Sequence, residues 1–329
     1  MIDVHTHVVP SGLPFGHDER FPVLVDDGDT GRVIVRGSVF RTVRRPAWEA
    51  ESRVGELDAR DVGFQVLSPM PELFGYWAEP AIGASFCAAL NDAVAAMVAV
   101  APFRFGGFGA APLQDVDLAI EALAQVKQLG LLGVQIGSNV AGVSAGSPRF
   151  LPFFQAAADL GLAVFVHAFH PPHWECVPDG PMAAAVSFPP EIGTCMAAIV
   201  ANGFVEQSPG LRLGASHGGG TLPLHLPRMR AFWSWDDERT ARASSPDQAT
   251  RSMWFDCLTY EPAALHALVD LVGVDRIIVG SDYPFFDERP GYVVDAAELH
   301  PADRDSIRVA NAEAFLGLSK RPGESREHV

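Results

Sequence analysis

The stretch AVFVHAFHPPHWE, residues 163–175, is a run of β-branched and aromatic residues that stops at a histidine and then breaks up into prolines. Such side chains favour a strand, and the prolines that follow end it. Three histidines fall here, but only His167 closes the run. His170 and His173 lie beyond it, in a connection that reads as lid or surface. A strand that ends on one polar group and leads through a loop into a helical pattern is therefore the unit to seek elsewhere.

It recurs through the chain. Strand-like runs are IDVHTH (2–7), FQVLSP (64–69), RFGGFGA (104–110), GVQIGS (133–138), AVFVHA (163–168), LRLGAS (211–216), SMWFDC (252–257) and RIIVGS (276–281). Helical patterns lie near 48–61, 81–101, 115–129, 149–160, 189–203, 221–233 and 261–271. This rhythm predicts an α/β fold, a (β/α)8 TIM barrel, with residues 1–329 forming a single domain. Three stretches fall outside it and are predicted as insertions over the C-terminal face: 8–46, with a hairpin at RVIVRGSVF (32–40), then 169–187 and 235–250.

A net charge of −16 argues against nucleic acid and anionic membrane as partners. No apolar run long enough to cross a bilayer stands out, and MIDVHTH lacks the basic start of a signal peptide, so the expected location is cytoplasmic. Cys87, Cys176, Cys195 and Cys257 show no CxxC spacing and predict neither a disulfide framework nor a zinc ribbon. All 24 basic residues except Lys127 and Lys320 are arginine, whose planar fork suits a carboxylate.

His5 and His7, two apart on a strand, project from one face. Inside a barrel that pair has metal-ligand geometry; the alternatives are core histidines or a solvent-facing pair. His167, His217 (in LGASHGGG) and Asp282 (in IIVGSDYPF) each follow an apolar run directly, at the strand ends where barrel active sites assemble. Three neutral imidazoles and a carboxylate suit zinc or a similar divalent ion, with one position left open. A competing reading takes GVSAG (142–146) as a nucleophile elbow and HGGG (217–220) as its oxyanion loop. Their order is reversed for that fold, and Ser144 lies several residues past its strand, so it reads as a loop serine. The three glycines let the backbone turn sharply after His217.

IDVHTH, FGAAPLQDVDLAI (108–120), LGVQIGSN (132–139), the strand ending at His167, SHGGG (216–220) and GSDYPF (280–285) span nearly the whole chain. Together they resemble the amidohydrolase superfamily, in the branch of 2-amino-3-carboxymuconate-6-semialdehyde decarboxylase and related metal-dependent decarboxylases. The resemblance implies that His5, His7, His167 and Asp282 hold one divalent ion, zinc with manganese as the alternative. It implies that His217, working beside Asp282, handles the proton of a metal-bound water. Gln135 stands where two-metal members carry a modified lysine, which favours one ion. Arg41, after Phe40, aligns with one arginine that grips the substrate carboxylate. Arg228 aligns with a second, supplied by a neighbouring subunit, which implies a homodimer. Phe285 resembles an aromatic that packs on the substrate.

The implied activity is non-oxidative decarboxylation of an unsaturated or aromatic carboxylic acid, a small-molecule carboxy-lyase reaction. Hydrolysis or hydration of a lactone, amide or unsaturated acid at the same site is the alternative. A barrel that binds without catalysis is disfavoured by retention of all five groups. The chain departs from the branch at Ala168, Phe169 and His170, where the family continues Pro-Trp-Asp, and at Ala184, in place of a tryptophan. Phe169 and His170 are accordingly expected to shape a different substrate pocket.

Overall fold

Eight parallel strands close a barrel in a computed structural model that describes residues 1–16, 18–169, 180–240 and 244–318. They are β1 (Ile2–Val8), β2 (Phe64–Pro69), β3 (Phe105–Gly109), β4 (Gly133–Gly137), β5 (Ala163–His167), β6 (Arg212–Ala215), β7 (Trp254–Asp256) and β8 (Ile277–Tyr283). Each pairs with its neighbour in sequence, and β8 closes the ring on β1. These are the eight runs read from the sequence.

The principal wrapping helices are α1 (Ala50–Ala59), α2 (Pro80–Val100), α3 (Val116–Gln128), α4 (Leu151–Asp159), α5 (Pro181–Ala201), α6 (Leu222–Trp233) and α7 (Pro262–Val272). Side-chain caps start two of them. Glu79 accepts from the Ile82 amide before α2, and Asp115 accepts from the Leu118 amide before α3. The large core packs the outer faces of the strands, with Val134, Ile136, Val164, Val166, Leu213 and Phe255, against these helices. A second cluster fills the barrel around Val4, Val66, Phe108, Phe165 and Ile278. It is closed by Ala312, Phe315 and Leu316 of α8 (Asn311–Leu316), a helix the strand rhythm does not reveal.

The structure departs from the sequence reading in three places. Helix α5 begins at Pro181 rather than near residue 189, because Pro189 and Pro190 lie inside it. The Pro189 carbonyl accepts from the Thr221 amide at 3.0 Å, giving it a partner outside the helix. The hairpin at 32–40 has a third strand: Val23–Asp26, Thr30–Val35 and Ser38–Arg44 form an antiparallel sheet. Finally, α2 and most of α5 are long and apolar enough, by length and composition, to cross a membrane. The sequence reading missed this; in the fold, one face of each is buried against the rest of the protein, as at Phe86, Leu90 and Val94 of α2 and Ile192, Met196 and Ile199 of α5.

One irregularity in the barrel wall positions the site. Along β1, Asp3 pairs with Val279 and His5 with Gly280, so β1 carries one extra residue. Val4 packs in the inner cluster and His5 lies 5.3 Å from Phe165, so two consecutive residues serve the interior. Gly280 makes room for this: a Cβ there would fall 2.7 Å from the His5 Cβ and 2.9 Å from the Asp256 Cβ.

Candidate metal centre and active site

Four imidazoles meet at the C-terminal mouth of the barrel. His5 lies 5.1 Å from His7, 4.9 Å from His167 and 5.2 Å from His217 between ring centroids, with the rings edge to face. His7 to His167 is 4.9 Å and His167 to His217 is 5.2 Å. Asp282 completes the group, its Oδ1 2.9 Å from His7 Nε2 and 3.6 Å from His5 Nε2. One ligand atom from each of His5, His7, His167 and Asp282 lies within 4.8 Å of the others, and all four residues are buried.

The hydrogen bonds define which nitrogens are free. His167 Nδ1–H donates to the Ala168 carbonyl at 2.7 Å, leaving Nε2 buried, with a lone pair and no hydrogen-bond partner among the described residues. His5 Nδ1–H donates to Asp256 Oδ2 at 2.6 Å, leaving its Nε2 as a second acceptor, only 3.2 Å from His7 Nε2. Lone pairs and a carboxylate converging in a buried space lack a positive partner. A divalent cation fits that donor set, which is nitrogen-rich and suits zinc or manganese.

The electrostatics agree. Burial holds His7 at a pKa of about 4 despite its bond to Asp282, and burial pushes His167 far below its ordinary value. Both are neutral at physiological pH, as a ligand must be. Burial opposes ionisation of Asp282, but His7, then His5 and His217, outweigh it and hold the carboxyl well below its usual range. His5 also suffers desolvation, yet its bond to Asp256 and the nearby carboxylates raise its pKa.

His217 sits on a tight turn with φ 52°, followed by three glycines that all have positive φ. Ser216 Oγ lies 2.9 Å from its Nδ1, so Nε2 is the nitrogen left for chemistry. Burial and then the charge of His5 lower its pKa.

The mouth is built from aromatics and one arginine. Phe285 stacks on His7 at 5.2 Å and 22°, and the Arg41 guanidinium lies 3.9 Å from the centre of the Phe285 ring. Phe188 on α5 lies 6.3 Å from both His167 and His217. Glu72, in the turn after β2, feels the charges of Arg41 and Asp282; burial raises its pKa. Gln135 lies buried in β4 and donates to the Pro69 carbonyl at 3.0 Å.

Other expected residues lie apart. Phe169 is buried in the wall, packed on Phe74 and Tyr76, its amide donating to Ser138 Oγ and its carbonyl accepting from Asn139. Arg228 is exposed on α6, its guanidinium 4.6 Å over Phe232, and is not part of the cluster. His170, His173 and Cys176 lie outside the described residues. Sequence reasoning missed Asp256, Glu72 and Phe188. Of these, only Asp256 left a signal, a carboxylate at the end of the apolar run SMWFDC.

A closed (β/α)8 barrel with a histidine and aspartate cluster at its strand ends defines the architecture of a metal-dependent barrel. The family model described as amidohydrolase matches residues 2–318, and the chain belongs to that family. It is 30% identical over 328 residues to 2-amino-3-carboxymuconate-6-semialdehyde decarboxylase of Dictyostelium discoideum, covering 96% of this chain and 91% of that protein. Among solved structures it is similar to 5-carboxyvanillate decarboxylase from Sphingomonas paucimobilis, with a TM-score of 0.80, 21% identity and coverage of 97% and 99%. It is also similar to a dihydroxybenzoic acid decarboxylase from Polaromonas sp. JS666 holding manganese and 2-nitroresorcinol, with a TM-score of 0.74, 20% identity and coverage of 97% of each chain. The two structural likenesses establish the fold.

Proposed function

We propose that this chain is a metal-dependent, non-oxidative decarboxylase of an unsaturated or aromatic carboxylic acid, of the aminocarboxymuconate semialdehyde or hydroxy- or aminobenzoate class. The observation that carries this is the buried cluster of His5, His7, His167 and Asp282, with His167 Nε2 unpartnered, opening beneath Phe285 and Arg41. Its membership of the amidohydrolase family and its similarity to a full-length decarboxylase support the same reading.

His5, His7, His167 and Asp282 would hold one divalent ion, zinc in the first instance and manganese as the alternative. When bound, such an ion supplies Lewis acidity and lowers the pKa of a coordinated water to near 7. The chain's own residues do the rest. Arg41 grips a substrate carboxylate, and the ring of Phe285 carries a flat substrate toward the cluster. His217 Nε2 delivers a proton to the carbon bearing the carboxylate. The carbon–carbon bond then breaks, carbon dioxide leaves, and its electron pair remains on the substrate, so the net change is replacement of carboxylate by hydrogen.

The exposed face of α6 carries Arg228 with Leu224 and Phe232, and Trp235 follows the helix. This supports a homodimer in which Arg228 of one copy reaches the mouth of the other. Cys87, Cys195 and Cys257 are buried free thiols, which supports a reducing, cytoplasmic setting. The whole chain is read as one catalytic domain.

The test is carbon dioxide release by metal-reconstituted protein across those acids. Release supports the lyase. Acid release from lactones, or free amine from amides, without carbon dioxide would replace it with a hydrolase. His217→Ala should keep the metal and lose roughly 10²- to 10⁴-fold in kcat; full turnover in that variant removes His217 from the proton step.

A further inference from the structure

Asp256 ends β7, fully buried, and joins two parts of the site distant in sequence. Its Oδ2 accepts from His5 Nδ1–H at 2.6 Å. Its Oδ1 accepts from the Gly218 amide at 2.8 Å, one residue past His217, and from the Leu258 amide at 3.1 Å. With Oδ1 taken by two backbone amides and Oδ2 by the imidazole, both oxygens accept, so the proton of this bond sits on His5 Nδ1.

We propose that Asp256 is a positioning residue, fixing His5 in the tautomer that leaves Nε2 free for the cation and tethering the turn that carries His217. One carboxylate thereby sets both a metal-ligand orientation and the place of the proton-transferring histidine. The proposal rests on the metal reading given above. A role confined to tethering the turn after β6 to β7 would make no demand on the His5 tautomer.

Asp256→Asn separates these roles. Two backbone amides outvote one imidazole for its single oxygen, so the asparagine keeps its acceptor toward Gly218 and Leu258. Its N–H₂ then faces His5 Nδ1, which favours the Nε2–H tautomer and removes the free lone pair. With Zn²⁺ as the probe on the full-length chain, competition against a chelator should show roughly 10- to 100-fold weaker binding, with the cooperative melt retained. In a His5→Gln background the same substitution should cost no further affinity, because it acts through His5. Should the asparagine variant fail to melt cooperatively, Asp256→Ser, a smaller side chain lacking the oxygen that faces His5, is expected to give the same loss. Wild-type affinity in the folded Asp256→Asn or Asp256→Ser variant, or losses that multiply in the double variant, would overturn the proposal. A wild-type chain that binds no Zn²⁺ would overturn the metal reading, and this proposal with it.

Discussion

Two buried polar clusters stand on opposite sides of β1, and they are finished differently. On the inner side, His5, His7, His167 and Asp282 converge with too few partners, and His167 Nε2 has none among the described residues. On the outer side, the guanidinium of Arg53, fully buried on α1, is engaged throughout. Its Nε donates to Gln65 Oε1 at 2.7 Å, Nη1 to the His7 and Pro46 carbonyls at 2.9 and 3.2 Å, and Nη2 to Thr6 Oγ1 at 2.8 Å. The Tyr283 ring lies 4.6 Å from the same guanidinium. A saturated buried network holds a fold in place, whereas converging unsatisfied acceptors mark a place for something the chain does not itself supply. The same β1 backbone serves both, since Arg53 grips the carbonyl of His7.

The contrast is broken most severely at His167. His167→Ala should lose the metal and reduce turnover by about 10³-fold or more, the several kcal/mol that a catalytic cation contributes. In the metal-free state the same variant should melt lower than metal-free wild type only by the cost of a small cavity and of the bond lost by the Ala168 carbonyl, because Nε2 has no partner among the described residues. Metal analysis, kinetics and calorimetry on one preparation decide it. Unchanged metal content would remove His167 from the ligand set.

Arg53→Met is the mirror experiment. It strands Gln65 Oε1, two carbonyls and a threonine hydroxyl in the interior, so denaturant unfolding should show a loss of about 3–5 kcal/mol. Arg53→Lys should recover only part of this, because an ammonium cannot span acceptors arranged for a planar fork. Zn²⁺ affinity of the folded fraction should fall far less than in His167→Ala. Strong metal loss with stability unchanged would mean that the two clusters are not separable in this way.

The sequence carried the inner cluster better than the outer one. His167, His217 and Asp282 are legible because each follows an apolar strand run directly, and His5 and His7 because they stand two apart on one strand, local patterns that need no knowledge of neighbours. Arg53 is a charge in a helix of ordinary amphipathic appearance, and only its burial against β1 and β2 gives it a role. Asp256 finds His5 across 251 positions of sequence, and Phe188 reaches the mouth because α5 begins before the proline pair that read as its start. The barrel was legible for the same reason as the inner cluster, since strand and helix periods are local. Its closure by Phe315 was not, because no motif marks the helix that carries it.

The smallest effect lies at the loose end of the outer network. Asp3 Oδ2 accepts from Gln65 Nε2 at 3.0 Å and from Ser281 Oγ at 2.7 Å, but Oδ1 has no partner among the described residues. Burial raises the Asp3 pKa to about 6 from the ordinary 3.8, with Gln65 and Ser281 only partly opposing it. The folded state therefore holds this proton more tightly than the unfolded chain. Stability falls as pH rises through the window between those two values, and the full penalty is present above it. Asp3→Asn keeps one oxygen for Gln65 and Ser281 and removes the charge. It should stabilise the chain by about 1–3 kcal/mol at pH 8, the upper figure following from a shift of roughly two pKa units. Near pH 4, where the native carboxyl is already protonated, the difference should vanish or reverse. Urea unfolding of both proteins, metal-free, at the two pH values measures it. A gain of equal size at both would trace the effect to packing rather than to the Asp3 charge.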